Sequence, residues 1–392
     1  MSPQLAYVIV TPHSLQKSRT GGIISRLIAR TGLDLAAARM FAPSAELARE
    51  FAEATAASSD PGDRRIQKLI HDYILNEIAP DKKTGQRRRV MVLLFRGDDA
   101  VKKIFNVVGH ITPGRNRGET IRDTYGDFIE GDNGEVRYFE PAVLVAPTKE
   151  DAERKLKLWA KFSDSDGGVL ENVVPQATGE QPQRTLVLIK PDNFRFATGR
   201  PGNMIDFFSR TGLFIVAIKV HRMSVAQAME FYGPVREVLR TKLGASVAAR
   251  ATPHLEKEFG FVLPPDIEAK LGELLCPTFG ENHFGNIIRF MAGRSPAECP
   301  LAEREQPGSE KCIALVYEGV DAVKKIRDVL GPTDPSKAPT GTIRREFGTS
   351  MMINAAHASD APENAQREMG IIKIGEDLFR QMVQDYYCVP SK

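Results

Sequence analysis

Two stretches of the sequence read almost alike. Residues 95–109 are FRGDDAVKKIFNVVG and residues 317–331 are YEGVDAVKKIRDVLG, and both contain Asp-Ala-Val-Lys-Lys-Ile. Each stretch joins the end of an apolar segment to a run with apolar residues at helical spacing, which is typical of a strand that leads into an amphipathic helix. The repetition predicts two copies of one folding unit.

Four further pairs of segments match in the same chain order. The pairs are YVIVTP (7–12) with LVLIKP (186–191), GGIISRLIARTGLDLAAARMF (21–41) with GNMIDFFSRTGLFIVAIKVH (202–221), GETIRDTYGDF (118–128) with GTIRREFG (341–348), and PAVLVAPTKEDAERK (141–155) with NAAHASDAPENAQRE (354–368). Five matched pairs in one order indicate a tandem duplication.

The offset between matched residues changes along the chain and locates the insertions. It is 180 at the shared Arg-Thr-Gly-Leu (30 and 210) and 222 at the shared Lys-Lys (102 and 324), so the second copy has gained about 42 residues between roughly 224 and 316. The offset then falls to 213 (144 and 357), which places a hairpin insertion at IEGDNGEVRYFE (129–140) of the first copy.

These observations predict the domain organisation. We expect a first domain at 1–166, a Gly-, Pro- and Gln-rich linker at 167–183 and a second domain at 184–392. The second domain would hold an insertion at about 233–283, whose pattern is helical and whose length suggests a lid or an interface, and a C-terminal tail at 375–392. In each copy the order strand–helix–strand, helix, strand–helix–strand predicts an α+β sandwich with an antiparallel or mixed sheet covered by helices on one face.

Composition narrows the class of protein. The chain has 392 residues, of which 42% are hydrophobic and 26% charged, and its net charge of +3 neither requires nor excludes a nucleic-acid partner. Its four cysteines show no spacing typical of zinc or of a disulfide framework. The sequence has no signal-peptide pattern and no apolar run of membrane-spanning length, so we expect a reduced, cytoplasmic protein.

The motifs of the second copy carry a resemblance to a known family. LVLIKPDN (186–193), AVKKIRDVLGPTDP (322–335), GTIRREFG and NAAHASD (354–360) together resemble nucleoside diphosphate kinase. The resemblance implies two tandem ferredoxin-like domains and transfer of the γ-phosphate of a nucleoside triphosphate to a nucleoside diphosphate through a phosphohistidine. It also implies Mg²⁺ carried on the nucleotide phosphates, with no metal site made by the protein.

His357 is the implied nucleophile, and its neutral imidazole would accept the phosphoryl group. Glu368, eleven residues later on a helix that we expect to begin at Ser359 or Asp360, would orient the imidazole ring. Lys190 and Arg344 are the implied catalytic cations. The resemblance further assigns nucleotide contacts to Lys190, Tyr232, Phe284, Arg327, Thr333, Arg344, Met351, Asn354 and Ser359.

Phe284 and Met351 match the residues on either side of the base, and Tyr232 matches a phosphate-side hydroxyl. Phe284 and Tyr232 could equally be core aromatics. The insertion separates these two residues, which the family places close together in sequence, so nucleotide access and base preference stay open.

The first copy lacks most of this set. Leu144 stands at the nucleophile position, and only Arg122 is retained among the matched anchors. The other anchors are replaced by Thr11 (lysine), Phe105 (first arginine), Ile111 (threonine) and Pro141 (asparagine). We therefore expect an inactive copy that serves as a scaffold, or alternatively as a regulatory or partner-binding surface that includes the hairpin GDNGE (131–135).

The predicted partners are nucleoside diphosphates and triphosphates. The two copies are expected to pair as an intramolecular pseudo-dimer, with homo-oligomers possible and no membrane partner. An alternative function is a nucleotide-binding regulatory or protein-phosphotransfer protein with little turnover on diphosphates, which the long insertion would favour. A role with nucleic acid is weaker, because the basic runs DRRIQK (63–68) and GQRRRV (85–90) are short enough to be a solvated surface.

Overall fold

The computed structural model describes residues 3–56, 64–112, 118–175 and 181–387. The chain divides into two compact units, of which the first comprises Met1–Val220 and Ile313–Lys392 and the second comprises His221–Cys312. None of the helices in the described ranges is long and apolar enough to cross a membrane.

Ten strands form two four-stranded sheets and one hairpin. They are β1 (Gln4–Val10), β2 (Asp34–Phe41), β3 (Val90–Gly97), β4 (Asp127–Glu130), β5 (Val136–Glu140), β6 (Val143–Leu144), β7 (Gln183–Ile189), β8 (Phe214–His221), β9 (Cys312–Gly319) and β10 (Ala356–Ala358).

The helices of the first copy are α1 (Pro12–Gln16), α2 (Thr20–Thr31), α3 (Ala45–Ala56), α4 (Arg64–Tyr73), α5 (Ala100–Val108), α6 (Ile121–Tyr125), α7 (Lys149–Lys161) and α8 (Ser163–Asp166), with a π-helical turn at Ile74–Ile78. Those that follow are α9 (Arg200–Ser209), α10 (Val225–Phe231), α11 (Gly233–Lys242), α12 (Gly244–Phe259), α13 (Pro265–Ala292), α14 (Ala322–Leu330), α15 (Ile343–Phe347), α16 (Pro362–Ile371) and α17 (Leu378–Tyr387), with 3₁₀ turns at Pro191–Asn193, Leu301–Glu303 and Pro335–Lys337.

The two large sheets have the same strand order. The first runs β2-β3-β1-β6 and the second runs β8-β9-β7-β10, and matched strands of the two copies occupy matched places. The pairings of β1 with β3 and β6, of β2 with β3, and of β7 with β9 and β10 are all antiparallel. This order is that of the predicted ferredoxin-like sandwich, and the predicted antiparallel hairpin β4–β5 is also present.

The sheets are covered more completely than the sequence suggested. Val8 and Ile9 are adjacent in β1, and Val187 and Leu188 are adjacent in β7, yet all four are fully buried. Because successive side chains of a strand point to opposite faces, both faces of each sheet are covered. The expected α+β sandwich is present, and continuous apolar runs such as LVLI fit strands that are buried on both sides.

The two copies pack through small residues on α2 and α9. A Cβ atom on Gly202 would overlap the carbonyl oxygen of Gly21 and the backbone nitrogen of Ser25, so the helix backbones approach to a distance that only glycine permits. The hydroxyl of Ser25 donates a hydrogen bond to the carbonyl oxygen of Gly199 at 2.7 Å. The repeated Arg-Thr-Gly-Leu has a separate cause, since Gly32 and Gly212 both adopt positive φ just after their helices.

The C-terminal segment returns to the first copy. Phe379 of α17 is buried and packs edge-to-face on Phe41 of β2, with ring centroids 5.7 Å apart. The guanidinium of Arg39 in β2 lies 3.6 Å from a carboxylate oxygen of Asp377, just before α17. Residues 375–387, expected as a tail, are thus largely a docked helix, while residues 388–392 lie outside the described residues.

The linker also contacts both copies. Gly167 bridges to Phe41 of the first copy, and the backbone nitrogen of Leu170 donates to the carbonyl oxygen of Val216 in β8 at 3.0 Å. Residues 176–180 of the predicted linker lie outside the described residues.

The second compact unit is helical and contains the predicted insertion. Its helices α11, α12 and α13 pack through small residues, because a Cβ atom on Gly272 or Gly280 would overlap backbone atoms of Gly244 or Leu239. An ion pair also joins α11 and α13, because Arg236 donates two hydrogen bonds to the carboxylate of Glu281 at 2.9 and 2.6 Å.

Candidate functional site

His357 occupies the middle of the short edge strand β10, opposite Leu188 of β7. Ala355, the residue just before β10, has a φ of +70°, a conformation that is strained for a residue with a Cβ atom. Its carbonyl oxygen accepts hydrogen bonds from the backbone nitrogen of Lys190 at 3.0 Å and from the side-chain amide of Asn193 at 2.8 Å. These two bonds hold the turn that directs the chain into β10.

A carboxylate fixes the orientation of the histidine ring. Nε2 of His357 lies 2.9 Å from Oε2 of Glu368 on α16, and the hydroxyl of Ser359 donates to the same oxygen at 2.6 Å. Because an ionised carboxylate only accepts hydrogen bonds, this geometry assigns the proton to Nε2 and the lone pair to Nδ1. Glu368 is buried, whereas the His357 side chain is 22% exposed.

The start of α16 differs from the sequence-based expectation. The residue that precedes the helix is Ala361, which caps no backbone nitrogen with its side chain, and Pro362 is the first helical residue. Ser359 and Asp360 therefore do not begin the helix. The serine hydroxyl instead donates a hydrogen bond to the carboxylate of Glu368 and does not cap the end of the helix.

Lys190 follows β7 and is buried beneath the segment that precedes β10. Its ammonium group donates to the side-chain oxygen of Asn354 at 2.7 Å and to the carbonyl oxygen of Met352 at 3.1 Å. Burial lowers the pKa of Lys190 to about 8, with Asp192 opposing the shift and Arg344 adding to it. The lysine is therefore still charged at neutral pH but loses its proton within a mildly alkaline range.

Arg344 and Asn354 connect the loops around β10. Arg344 donates to the carbonyl oxygens of Gly331 at 3.0 Å and Ala356 at 3.2 Å. The side-chain amide of Asn354 donates to the carbonyl oxygens of Thr333 at 3.0 Å and Met351 at 2.9 Å. The structure thus brings Lys190, Arg344 and Asn354 to the same end of the second sheet as His357.

Arg327 lies in the last turn of α14 and is exposed. A hydrogen bond from Asn364 is the main cause that lowers the pKa of Asp360, and the charges of Arg327 and His357 act in the same direction. Arg327 and His357 therefore both lie close enough to Asp360 to influence its charge. Thr333 is exposed on the loop after α14.

The predicted base-binding residues are arranged differently from the expectation. Met351 is 62% exposed on the loop before Asn354, but the ring of Phe284 is only 2% exposed within α13 and Arg236 lies over it. No face of the Phe284 ring is open to a base, so this residue is a core aromatic in the structure. Tyr232 follows α10, is half-buried, and has its ring 5.0 Å from that of Phe231. Both residues belong to the second compact unit.

Three polar residues near β10 were missed by sequence reasoning. Asn193 bridges the carbonyl oxygens of Lys190 and Ala355, and Arg200 donates to the side-chain oxygen of Asn193 at 3.1 Å. Asp192 has both carboxylate oxygens buried without a hydrogen-bond partner among the described residues, and burial raises its pKa. In the sequence, Asp192 and Asn193 are marked only by the run KPDN (190–193) that follows the strand, and Arg200 has no such signal.

The first copy keeps its arginine for a structural reason. Arg122 donates to the carbonyl oxygens of Gly109 and Val143, which correspond to Gly331 and Ala356 around Arg344. The arginine therefore ties the same two segments together in both copies. At the nucleophile position Leu144 is buried and pairs with Ile9 of β1, as His357 pairs with Leu188 of β7.

Comparison with known proteins gives one consistent family. Residues 304–375 match the family model described as nucleoside diphosphate kinase. The nucleoside diphosphate kinase of Staphylothermus marinus is 32% identical over 190 residues, which are 48% of this chain and 92% of that protein. That of Cereibacter sphaeroides is 31% identical over 196 residues, which are 50% of this chain and 96% of that protein.

Among solved structures, the nucleoside diphosphate kinase of Aquifex aeolicus matches with 29% identity and a TM-score of 0.32, over 49% of this chain and 95% of that chain. The sequence matches to the relatives span nearly their whole length, although they occupy about half of the present chain. On that evidence, the chain belongs to the nucleoside diphosphate kinase family.

Proposed function

We propose that the protein is a nucleoside diphosphate kinase that works through a phosphohistidine at His357. The observation that carries the proposal is the contact between Nε2 of His357 and the buried carboxylate of Glu368, which leaves the lone pair of the imidazole on Nδ1. A neutral, oriented imidazole at a half-open position is what a nucleophile for phosphoryl transfer needs.

The reaction proceeds in two displacements. The Nδ1 lone pair attacks the γ-phosphorus of a nucleoside triphosphate, the bond from phosphorus to the bridging oxygen breaks, and the nucleoside diphosphate leaves with that electron pair. A terminal oxygen of a second nucleoside diphosphate then attacks the phosphohistidine, the N–P bond breaks, and the electron pair returns to Nδ1. Glu368 holds the proton on Nε2 through both steps and balances the positive charge of the phosphorylated ring.

Cationic side chains stabilise the charge on the transferred group. Lys190 and Arg344 are buried at the same end of the sheet as the nucleophile, and Arg327 lies on the exposed rim. Each would interact with phosphate oxygens on which charge spreads during transfer, and removing one such contact costs about 2–4 kcal/mol of transition-state stabilisation. Asn354 positions the ammonium of Lys190.

Mg²⁺ would enter with the nucleotide. Phosphate oxygens are the hard ligands that Mg²⁺ prefers, and the metal lowers the negative charge that the nucleophile meets. Within the described residues, no group of three His, Cys, Asp or Glu side chains is arranged to hold a metal ion. The protein's own contribution to phosphate binding would come from Lys190, Arg327 and Arg344, which would bind the phosphate oxygens that Mg²⁺ does not.

We further propose that the two copies form a pseudo-dimer within one chain and that the first copy transfers no phosphate. The tight approach of Gly21 and Gly202 supports the pairing, and Leu144 supports the lack of activity, since its side chain offers no nucleophile. Larger homo-oligomers and a cytoplasmic location remain part of the proposal. Cys276, Cys299 and Cys312 are buried free thiols, as a reducing compartment would maintain them.

The experiment that tests the function measures the mass of the intact protein. The full chain is incubated briefly with ATP and Mg²⁺ and then mixed with cytidine diphosphate. We expect one acid-labile phosphoryl group, mapped to His357, that disappears as cytidine triphosphate forms, and no such group in His357→Ala.

Two other results would contradict the kinase assignment. A phosphohistidine that cytidine diphosphate does not discharge would favour phosphoryl transfer to another protein. The separate helical unit at His221–Cys312 is the feature that makes this alternative worth testing. Full activity of His357→Ala would show that His357 is not the nucleophile. Leu144→His serves as a matched variant and should gain no phosphate in the first copy, because Thr11, Phe105 and Ile111 replace its phosphate anchors.

A further inference from the structure

The first copy contains a pocket at the place where the second copy has its nucleophile. The pocket is about 110 Å³ in volume, and its apolar wall includes Phe105, Ile111 and Leu144. These three residues stand at the positions of Arg327, Thr333 and His357 in the second copy. The loss of phosphate-binding groups has therefore left a cavity with apolar walls.

The sign of one charged residue that lines this pocket is reversed relative to the second copy. Lys155 stands where the second copy has Glu368, since both lie eleven residues after the nucleophile position. The Lys155 side chain is buried, lines the pocket and donates one described hydrogen bond, to Asp151 at 3.2 Å. An ammonium group has three donors, so two remain for a ligand.

The positive charge around Lys155 exceeds the negative charge. Asp151 is shared between Lys155 and Arg154, so one carboxylate faces two cations. Arg122 also lines the pocket and forms no ion pair with any carboxylate of the described residues, and its Nε is buried without a partner there. Burial lowers the pKa of Arg122 to about 9, which still leaves the guanidinium charged at neutral pH. The pocket therefore has a net positive charge.

Two hydroxyl groups add to this polar end. Thr55 is 7% exposed, lines the pocket, and its hydroxyl has no hydrogen-bond partner among the described residues. Tyr7 is also buried and lines the pocket. Burial raises the pKa of Tyr7, so this hydroxyl remains a donor at neutral pH. Buried hydroxyls of this kind usually have partners, and a bound ligand would supply them.

We propose that this pocket binds a small carboxylate with an apolar body, such as a benzoate-type or short-chain aliphatic acid. The carboxylate would accept hydrogen bonds from Lys155, Tyr7 and Thr55, and the apolar body would lie against Phe105, Ile111 and Leu144. The pocket is smaller than the enclosed cavity of about 150 Å³ that binds benzene, but it is open to solvent on one side, so it suits a short aliphatic chain or one ring that extends partly into the opening. A nucleotide would not fit this chemistry, since its triphosphate would meet three apolar side chains.

The test is calorimetric titration of the full chain with sodium benzoate, with benzyl alcohol and benzylammonium as neutral and cationic analogues. We expect benzoate to bind with a Kd of about 1 mM or tighter, as nine heavy atoms allow, and each analogue to bind at least about 10-fold more weakly. Lys155→Met should weaken benzoate binding by about 10-fold, whereas Lys157→Met, an exposed lysine on the same helix, should not change it.

A second variant covers the case in which Lys155→Met fails to fold. Ile111→Trp fills the cavity from a half-buried loop position and should abolish benzoate binding while the circular dichroism spectrum stays unchanged. Absence of benzoate binding, or equal affinity for benzoate and its two analogues, would overturn the proposal. Displacement of benzoate by ADP together with loss of binding in Lys190→Met would also overturn it, because the acid would then occupy the second copy. None of these results depends on phosphotransfer activity.

Discussion

The lowered pKa of Lys190 predicts an alkaline limit to catalysis. The ammonium group is buried, and its pKa of about 8 lies well below the ordinary value of 10.5 for lysine. The profile of kcat/KM against pH reports the groups of the free enzyme, so the charge available to bind phosphate declines as the pH rises through about 8.

The size of the effect follows from the fraction protonated. A group with a pKa of about 8 is about 91% protonated at pH 7 and about 9% at pH 9, so kcat/KM should fall about tenfold between these values. With the pKa at its ordinary value, the same change of pH would lower kcat/KM by less than about 5%.

The assay measures transfer from ATP to cytidine diphosphate at saturating Mg²⁺, since the cytosine base does not ionise in this range. Lys190→Arg is the matched variant, because its guanidinium keeps its charge to far higher pH and should remove the alkaline decline even if the rate is lower. Lys190→Met should be slower by about 10²- to 10³-fold and should lack the decline.

Two results would refute this reasoning. A wild-type kcat/KM that is constant from pH 7 to pH 9.5 would mean that the lysine is not titrating in the free enzyme. The same decline in Lys190→Arg would mean that another group causes it.

The remaining predictions concern the carboxylate partner and the packing of the two copies. Glu368→Gln keeps an acceptor for His357 but loses the charge, so kcat should fall about tenfold in steady-state assays, and Glu368→Lys should abolish turnover. An unchanged kcat in Glu368→Gln would exclude a role for the charge. Gly202→Ala should lower the free energy of unfolding in urea by about 2 kcal/mol, because its Cβ would overlap the backbone of Gly21. Gly370→Ala, where a Cβ meets nothing, is the control and should be neutral or slightly stabilising. Phe379→Ala should lower the free energy of unfolding by about 3–5 kcal/mol by opening a cavity beside Phe41, and an unchanged urea midpoint would contradict the docking of α17.

The repeat pattern was sufficient to predict much of the fold. Segments that recur in the same order must recur in the same fold, and the matching strand orders of the two sheets confirm this. The GDNGE hairpin was predicted because Asn-Gly between β-forming residues has a strong local preference for a turn. The contact of His357 with Glu368 agrees with the family-based assignment, since a strand, a loop and nearly two helical turns fix their separation.

What could not be predicted depends on contacts between distant segments. The sequence left Phe284 as either a base-stacking or a core aromatic, because only tertiary contacts decide that its ring is buried by the neighbours of a helix of 28 residues. Ser359 has a side chain typical of a helix cap, but its hydroxyl donates its hydrogen bond to the carboxylate of Glu368 instead. The sequence showed only that Arg122 is retained in the first copy, and the reason lies in contacts with the carbonyl oxygens of Gly109 and Val143 that a sequence does not show.

The docking of α17 on the first copy has a consequence for synthesis of the chain. Phe41 and its partner Phe379 are separated by almost the whole polypeptide, and a ribosome that adds about 5–20 residues per second needs roughly 20 to 70 s to pass from one to the other. The first sheet can form early and Trp159 can pack on Phe41 within the first copy, but the side of Phe41 that Phe379 contacts stays uncovered until translation is nearly finished. Premature termination would therefore release a folded first copy with that surface exposed, which makes truncated products the species most prone to aggregate.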